Sequence, residues 1–384
     1  MTNSSREGGD APSAERAATS AAERITTLDA VRGVAVLGIL TMNVVAIGIA
    51  DPAAYFNLSA SSPQSPLDWL IGAFGEIFFD QKFMGMFSML FGAGIVLFAD
   101  RAEAKGRAVI RLSLWRNFLL LLIGIVHSLF WEGDILVVYA LCSPVLLLVR
   151  RWPTTVLFSL GVAILLLIPL LSFLAQATVP ASGAGLGEWW GVPGEMSDGV
   201  GLWLLADAFM RALGMMLIGV AAYRSGFLRG DWEASRYRRV IAWNLPLGIA
   251  LSALGLAFIV VNDFAPGVAI VSTIPNTLGT LPMVAAYISI IVLWHQRATG
   301  RPFDVRLRAV GRMALTNYLA QTVLATLTFW VLLDGVELGR SALLVFVIAV
   351  WALQLWWSKA WLSRFSQGPV EWLWRAATYR RFSG

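Results

Sequence analysis

The chain has 384 residues, 58% hydrophobic and only 14% charged, where soluble domains carry about 25% charged residues, and a mean hydropathy of +0.70; this is the composition of a polytopic membrane protein. The net charge of +5 does not point to nucleic acid, because the bases fall in short loops between apolar runs, as orientation in a bilayer requires. One cysteine, Cys142, and two histidines, His127 and His295, exclude an intrachain disulfide and disfavour a His/Cys metal cage or a haem pair.

Residues 1–24, rich in Ala, Ser and charge without an apolar face, read as a disordered tail. The apolar run from Val31 has the length of a full span and no convincing small-residue cleavage site after it, so it reads as the first span and not as a signal peptide. At about 20 apolar residues per crossing, ten spans are predicted: 31–50, 68–99, 112–130, 134–149, 154–176, 202–222, 240–261, 273–294, 310–333 and 341–362. The second is too long for one straight crossing, which makes Leu67 to Phe79 an interfacial or re-entrant piece.

Loop charges provide a second count. The loops 100–111, 150–151, 223–239 and 295–308 are basic, and they alternate with 51–66, 177–201 and 262–272, which contain no Lys or Arg; only Arg340 breaks the pattern. Both termini are therefore expected to be cytoplasmic. The outer loop 177–201, with "EWW" and "GEMSDG", could cap an outer pocket. The expected fold is all-α, a multi-pass membrane bundle of about ten transmembrane helices over residues 25–363. A cytoplasmic amphipathic segment, 364–384, follows it. There Trp372 and Trp374 with Arg375, Arg380 and Arg381 suit the inner leaflet; alternatively Glu371 and Arg375 dock the segment on the cytoplasmic mouth.

Ionisable groups inside spans cost about 2.5–3.5 kcal/mol each near a helix centre, so each is a functional candidate. The outer layer holds His127, Glu132 and Asp134 around the turn between the third and fourth spans, and Glu76, Asp80 and Lys82 in the second. Asp207 and Arg211 share a helix face and are expected to pair. A carboxylate on one nitrogen of His127 would fix its tautomer and raise the basicity of the other, the arrangement a general base needs; a satisfied structural histidine is the plainer alternative. The inner layer holds Asp29 and Arg32, three apart, with Gly33 permitting close approach, and Arg116, Arg312 and Asn317 at the starts of the third and ninth spans. The three arginines could clamp phosphates or be ordinary positive flanks. Asn43, about 16 Å above Arg32, needs partners and is expected to point into the bundle. Cys142, in an apolar run without a nearby base, reads as packing.

Five stretches, "RITTLDAVRGVAVLGILTMNV", "FMGMFSMLFGAGIVLF", "HSLFWEGDILVVYAL", "GRMALTNYLAQT" and "GPVEWLWRAATYRR", together resemble the YeiB family of uncharacterised bacterial inner-membrane proteins, from about residue 24 onward. The D-x-x-R-G pattern with a later asparagine, Asp29, Arg32, Gly33 and Asn43, is also similar to that of the heparan-alpha-glucosaminide N-acetyltransferases. That resemblance implies a transmembrane acyltransferase fold with acyl-CoA as co-substrate, an extracytoplasmic saccharide or lipid as acceptor, and Asn43 as an active-site amide. Those enzymes carry a catalytic histidine between the first two spans; residues 44–82 here contain none, so His127 would have to substitute from another helix. In this reading Arg32, Arg116 and Arg312 hold CoA phosphates, His127 is the base, and Asp134 or Glu132 orients it. Asp29, Asn317, Glu76, Asp80, Asp207 and Arg211 complete the candidate binding groups. Membrane lipids, acyl-CoA and the acceptor are the expected partners, with no nucleic acid and a homodimer as the assembly to consider. A proton-coupled transporter or flippase running through His127, Asp134, Glu132 and Asp80, and a non-catalytic scaffold or sensor, are the competing readings. The absence of a G-x-x-x-x-G-K run sets ATP hydrolysis aside, and no metal or haem is expected.

Overall fold

The computed structural model describes residues 25–60 and 65–380. The tail expected over 1–24 and the base Arg381 lie outside the described residues. The described chain is helical: α1 Thr26–Gly48, α2 Pro66–Phe78, α3 Lys82–Ala104, α4 Val109–Ser128, α5 Leu136–Val149, α6 Thr154–Thr178, α7 Asp198–Arg224, α8 Ala234–Val261, α9 Thr273–Ala298, α10 Pro302–Arg312, α11 Ala314–Thr326, α12 Arg340–Leu362 and α13 Pro369–Arg380. Among the described residues nine segments are long and apolar enough to cross a membrane, α2 and α3 counting as one. The tenth predicted span is α5. Its 14 residues reach about 21 Å, short of the roughly 30 Å hydrocarbon layer.

Two boundaries differ from the sequence reading. The second predicted span breaks at Gln81, whose φ is +62°, so that α2 becomes a separate piece begun by a Ser65–Asp68 capping box. The ninth begins later than expected, because α10 starts within the loop 295–308 and runs on through the first residues of the predicted span. Pro302 starts this helix and Met313, at φ −111° and ψ 32°, ends it. The break persists because Glu371 accepts hydrogen bonds from the Leu315 and Thr316 amides, at 2.7 and 3.0 Å, which caps α11 as a new helix.

α1 lies in the interior, packed against α3, α9, α10, α11 and α12. α3, α7 and α9 share its apolar core, which includes Val31, Val36, Met86, Met216 and Val292. α6 and α8 are the most exposed long helices, presenting Leu166, Phe173, Leu247 and Leu254 outward, as lipid-facing helices do. The contacts also sort the helix ends. Arg150 pairs with Glu103 at 2.9 Å and Arg224 donates to the Arg150 carbonyl, while Trp374 donates to the Arg116 carbonyl at 2.8 Å and His295 contacts Thr26 at 3.1 Å. The starts of α1, α4 and α6, the ends of α3, α5, α7 and α9, and α13 therefore share one face of the bundle.

Lys82, Arg211 and Arg340 are the described bases set toward the opposite end, and each is held. Lys82 donates to the Glu76 carbonyl at 2.9 Å and to Asn276. Arg211 pairs with Asp207 at 2.6 Å, as its spacing predicts, and donates to Thr277. Arg340, the exception to the loop pattern, is buried and donates to the Ala54 carbonyl, so it serves as a staple between α12 and an outer turn.

Candidate functional site

On the basic face, local sequence brings the arginines together. Gly33 and Gly311 each precede or follow an arginine, and at these glycines α1 and α10 touch backbone to backbone. A Cβ on Gly33 would lie 2.2 Å from the Leu307 carbonyl oxygen, and one on Gly311 would lie 1.9 Å from that of Asp29. The contact sets Arg32 and Arg312 side by side, and Arg116 joins them from α4. All three line a vestibule of about 550 Å³ whose wall also includes Arg101, Lys105, Arg107 and Arg375. The same three arginines line an adjoining slot of about 220 Å³ that runs inward between Phe87, Leu90, Phe91, Leu120, Leu136 and Leu315. The two spaces thus share a basic rim, and the inner one is apolar.

Asp29 is buried and lies 3.5 Å from the Arg32 guanidinium. Arg116 sits between the rings of Phe98 and Trp374, 4.3 and 4.2 Å from their centroids, and no carboxylate among the described residues lies within ion-pair distance of it. A stacked guanidinium without a carboxylate keeps its in-plane donors for an anion. α13 closes the rim: Glu371 caps α11 and also accepts from the Thr316 hydroxyl at 2.5 Å, and Trp374 lines both spaces. Of the two placements expected for this segment, the described contacts are those of mouth docking, while Trp372 and Leu373 remain exposed on its outer side. Glu371→Ala is expected to cost about 1–2 kcal/mol through the lost cap and to speed hydrogen exchange at the Leu315 and Thr316 amides. Unchanged protection there would remove this role.

His127 is buried and lines neither the slot nor the vestibule. Its Nδ1 is 2.7 Å from Asp134 Oδ1 and its Nε2 is 2.9 Å from Thr322 Oγ1. The Asp134 side chain is 1% exposed, and its second oxygen accepts from the Val137 amide at 3.0 Å. Asp134 is therefore the carboxylate that meets the imidazole; Glu132 is exposed and makes none of these contacts. Tyr318, three residues beyond Leu315 of the slot, rests its ring 5.1 Å from the imidazole and its hydroxyl 3.5 Å from Asp134. Leu136, which lines the slot, is two residues from Asp134. Sequence reasoning missed Thr322, which lies in a span of ordinary composition. It also passed over a second constellation of the same kind at the other end of the bundle. There His295 Nδ1 lies 2.6 Å from Asp304 and its Nε2 3.1 Å from Thr26, and Arg308 pairs with the same Asp304 at 2.9 Å.

Two candidates are placed elsewhere. Asn317 is fully buried and ties α11 to α12, bonding the Val310 carbonyl, Ser358 and Trp357, so it supports the mouth without lining it. Asn43 is half-buried on α1, lines neither the vestibule nor the slot, and makes no contact with His127. Cys142 is buried with its thiol toward the Phe209 carbonyl at 3.9 Å, as packing requires.

Glu76, Asp80, Asp207 and Arg211 do come together, but away from the histidine. They line an outer cavity of about 120 Å³ between α2, α7, α8 and α9, with Gln81, Ser252, Asn276 and Thr277. Asn276 donates to Asp80 at 2.8 Å while accepting from Lys82, so an amide links Lys82 to Asp80. Tyr55 and Phe56 form one wall, and Trp190 of the outer loop stacks flat on Phe56 with centroids 4.6 Å apart. Burial, reinforced by Asp80 and Glu76, raises the Tyr55 phenol well above its ordinary value.

These features define a polytopic α-helical membrane protein with a basic, apolar-floored cavity at one end and a charged, aromatic-walled one at the other. A family model described as "Protein of unknown function (DUF418)" matches residues 222–381. The chain is 36% identical over 381 residues to Uncharacterized protein YeiB of Escherichia coli (strain K12), covering 93% of this chain and 97% of that one. It is 29% identical to Uncharacterized protein YxaH of Bacillus subtilis (strain 168), over 93% and 94% of the two chains. The chain belongs to the YeiB family. No solved structure matches it.

Proposed function

We propose that this protein is an acyltransferase of the bacterial inner membrane that takes acyl groups from cytosolic acyl-CoA and passes them to a saccharide or lipid acceptor on the extracytoplasmic side. The observation that carries the reading is the arginine rim shared by a wide basic vestibule and a narrow apolar slot: a ligand that fits both has a multiply charged anionic head and an apolar or thioester-bearing arm. The positive-inside rule assigns the basic face to the cytosol, where acyl-CoA is found. Arg32, Arg116 and Arg312 would take the phosphates, the guanidinium fork suiting them better than an ammonium would.

In the proposed step the acceptor oxygen or nitrogen attacks the thioester carbonyl carbon and its proton passes to His127 Nε2. The C–S bond then breaks, and the CoA thiolate takes up that proton and leaves as the free thiol. Asp134 holds Nδ1–H and stabilises the imidazolium. Thr322 occupies the position on Nε2 that the acceptor's proton-bearing group would take. The test is saturable binding of acyl-CoA, and of CoA alone, to the protein in lipid nanodiscs. Arg116→Gln is expected to weaken both by roughly tenfold or more, the loss of a charge-assisted contact. Absence of saturable binding, or equal binding by Arg116→Gln and Arg312→Gln, would end the acyl-CoA reading.

A further inference from the structure

The outer cavity contains an unusual concentration of polar atoms without partners. Among the described residues, Asp207 Oδ1, Gln81 Oε1, Ser252 Oγ and Trp190 Nε1 are each buried and make no hydrogen bond, and all four residues line this one cavity. Ser252 is 2% and Trp190 9% exposed. Burying an unsatisfied polar group is costly, so four around one space are most simply explained by a ligand that completes them. Gln81 also holds a left-handed φ of +62°, the backbone strain that accumulates at binding sites.

The character of the groups limits the ligand. The Glu76 carboxylate lines the same cavity and accepts no hydrogen bond among the described residues. With Asp80 and Asp207 it places three carboxylates around the cavity, facing Arg211 in the lining, with Lys82 and Arg340 acting from behind it. What the lining has in excess is hydrogen-bond acceptors. The waiting atoms include the acceptors Asp207 Oδ1 and Gln81 Oε1, the Ser252 hydroxyl, which can donate or accept, and a single obligate donor, the Trp190 indole N–H. Among the described residues no three His, Cys, Asp or Glu side chains are grouped so as to hold a metal ion. A primary ammonium supplies N–H donors to such acceptors, and Tyr55, Phe56, Trp190 and Trp203 line the space for its adjoining methylenes. A neighbouring ligand oxygen would accept from Trp190.

We propose that the outer cavity binds a small primary ammonium bearing a nearby oxygen, either as a free amino alcohol or as the headgroup of an ethanolamine lipid. The site is distinct from the arginine rim, and its occupation does not depend on acyl transfer. A quaternary ammonium has no N–H to offer Asp207 or Gln81, and a neutral polyol brings no positive charge to a lining with three carboxylates. Both are therefore discriminated against.

The experiment uses ethanolamine, choline and glycerol with the full chain in nanodiscs of phosphatidylglycerol, without acyl-CoA, so that failure here and failure of the acyl-CoA reading remain separable. Ethanolamine is expected to bind saturably, and choline and glycerol roughly tenfold more weakly or not at all. Glu76→Gln removes a carboxylate that accepts no hydrogen bond among the described residues, and Trp190→Phe removes the waiting N–H while keeping a ring on Phe56; with thermal midpoints measured alongside, each folded variant should bind ethanolamine less tightly. Replacing part of the lipid with phosphatidylethanolamine assigns the source: suppressed binding of added ethanolamine identifies the headgroup, and undiminished binding the free solute. No saturable ethanolamine binding, equal binding of choline, or full binding by Glu76→Gln would overturn the proposal.

Discussion

A methyl group at position 311 is expected to force α1 and α10 apart and to abolish the mouth between them. In Gly311→Ala the new carbon would sit 1.9 Å from the Asp29 carbonyl oxygen and 2.8 Å from the Gly33 nitrogen. Both obstacles are backbone, so no side chain can turn aside. Overpacking a core usually costs about 1–3 kcal/mol, and this substitution should reach the top of that range or exceed it, because a whole helix must move. Gly33→Ala meets the Leu307 carbonyl oxygen at 2.2 Å and should behave alike. Gly75→Ala, with nothing within 4 Å, is the control; exchanging glycine for alanine in a helix is neutral or gains up to about 1 kcal/mol. The readouts are the yield of monodisperse protein, its thermal midpoint and CoA binding. A Gly311→Ala protein that melts with the parent would show that the two helices do not meet as described.

The second large effect is expected at the imidazole. His127→Gln should reduce acyl transfer or thioester hydrolysis by about 10²–10⁴-fold, the usual contribution of a positioned general base, while acyl-CoA binding is kept. Glutamine is preferred to alanine because stripping the partner from buried Asp134 can cost about 3–5 kcal/mol in stability, which would confuse a chemical loss with unfolding. Asp134→Asn should also lose activity, since its amide can donate to Nδ1 and so favour the wrong tautomer. Thr322→Val separates two roles for the hydroxyl at 2.9 Å: retained turnover identifies it as a place-holder, lost turnover as a participant. Full turnover by a folded His127→Gln protein would return the histidine to a structural role.

The features legible in the sequence were those set by short-range rules. Apolar length gave the helices, and i,i+4 spacing gave Asp207–Arg211. The short connection after α4 put a carboxylate within reach of His127, although spacing alone did not choose Asp134 over Glu132. Alternating loop charge matched the grouping of helix ends, with Arg340 standing apart for a reason only packing reveals. The convergence of Arg32, Arg116 and Arg312 was a possibility in sequence and became a cavity rim through the Gly33–Gly311 contact. What escaped depended on distant partners. α10 was hidden because an arginine-rich helix at the bundle's end has the composition of a loop. Asn317 looked like a mouth residue until α12 supplied Ser358 and Trp357. The outer charges and His127 were read as one layer by depth, yet His127 does not line the cavity that Glu76, Asp80, Asp207 and Arg211 share.

The central position of α1 has a consequence for biosynthesis. Its neighbours α10, α11 and α12 begin at Pro302 and later, some 250 residues after α1 ends at Gly48, which at about 5–20 residues per second is roughly 13–50 s of translation. Throughout that interval a helix bearing Asp29, Arg32 and Asn43 must wait in the insertion machinery or in lipid without the surfaces that finally shelter it. Assembly of this protein should therefore be unusually sensitive to membrane-insertion chaperones and to the pace of the ribosome.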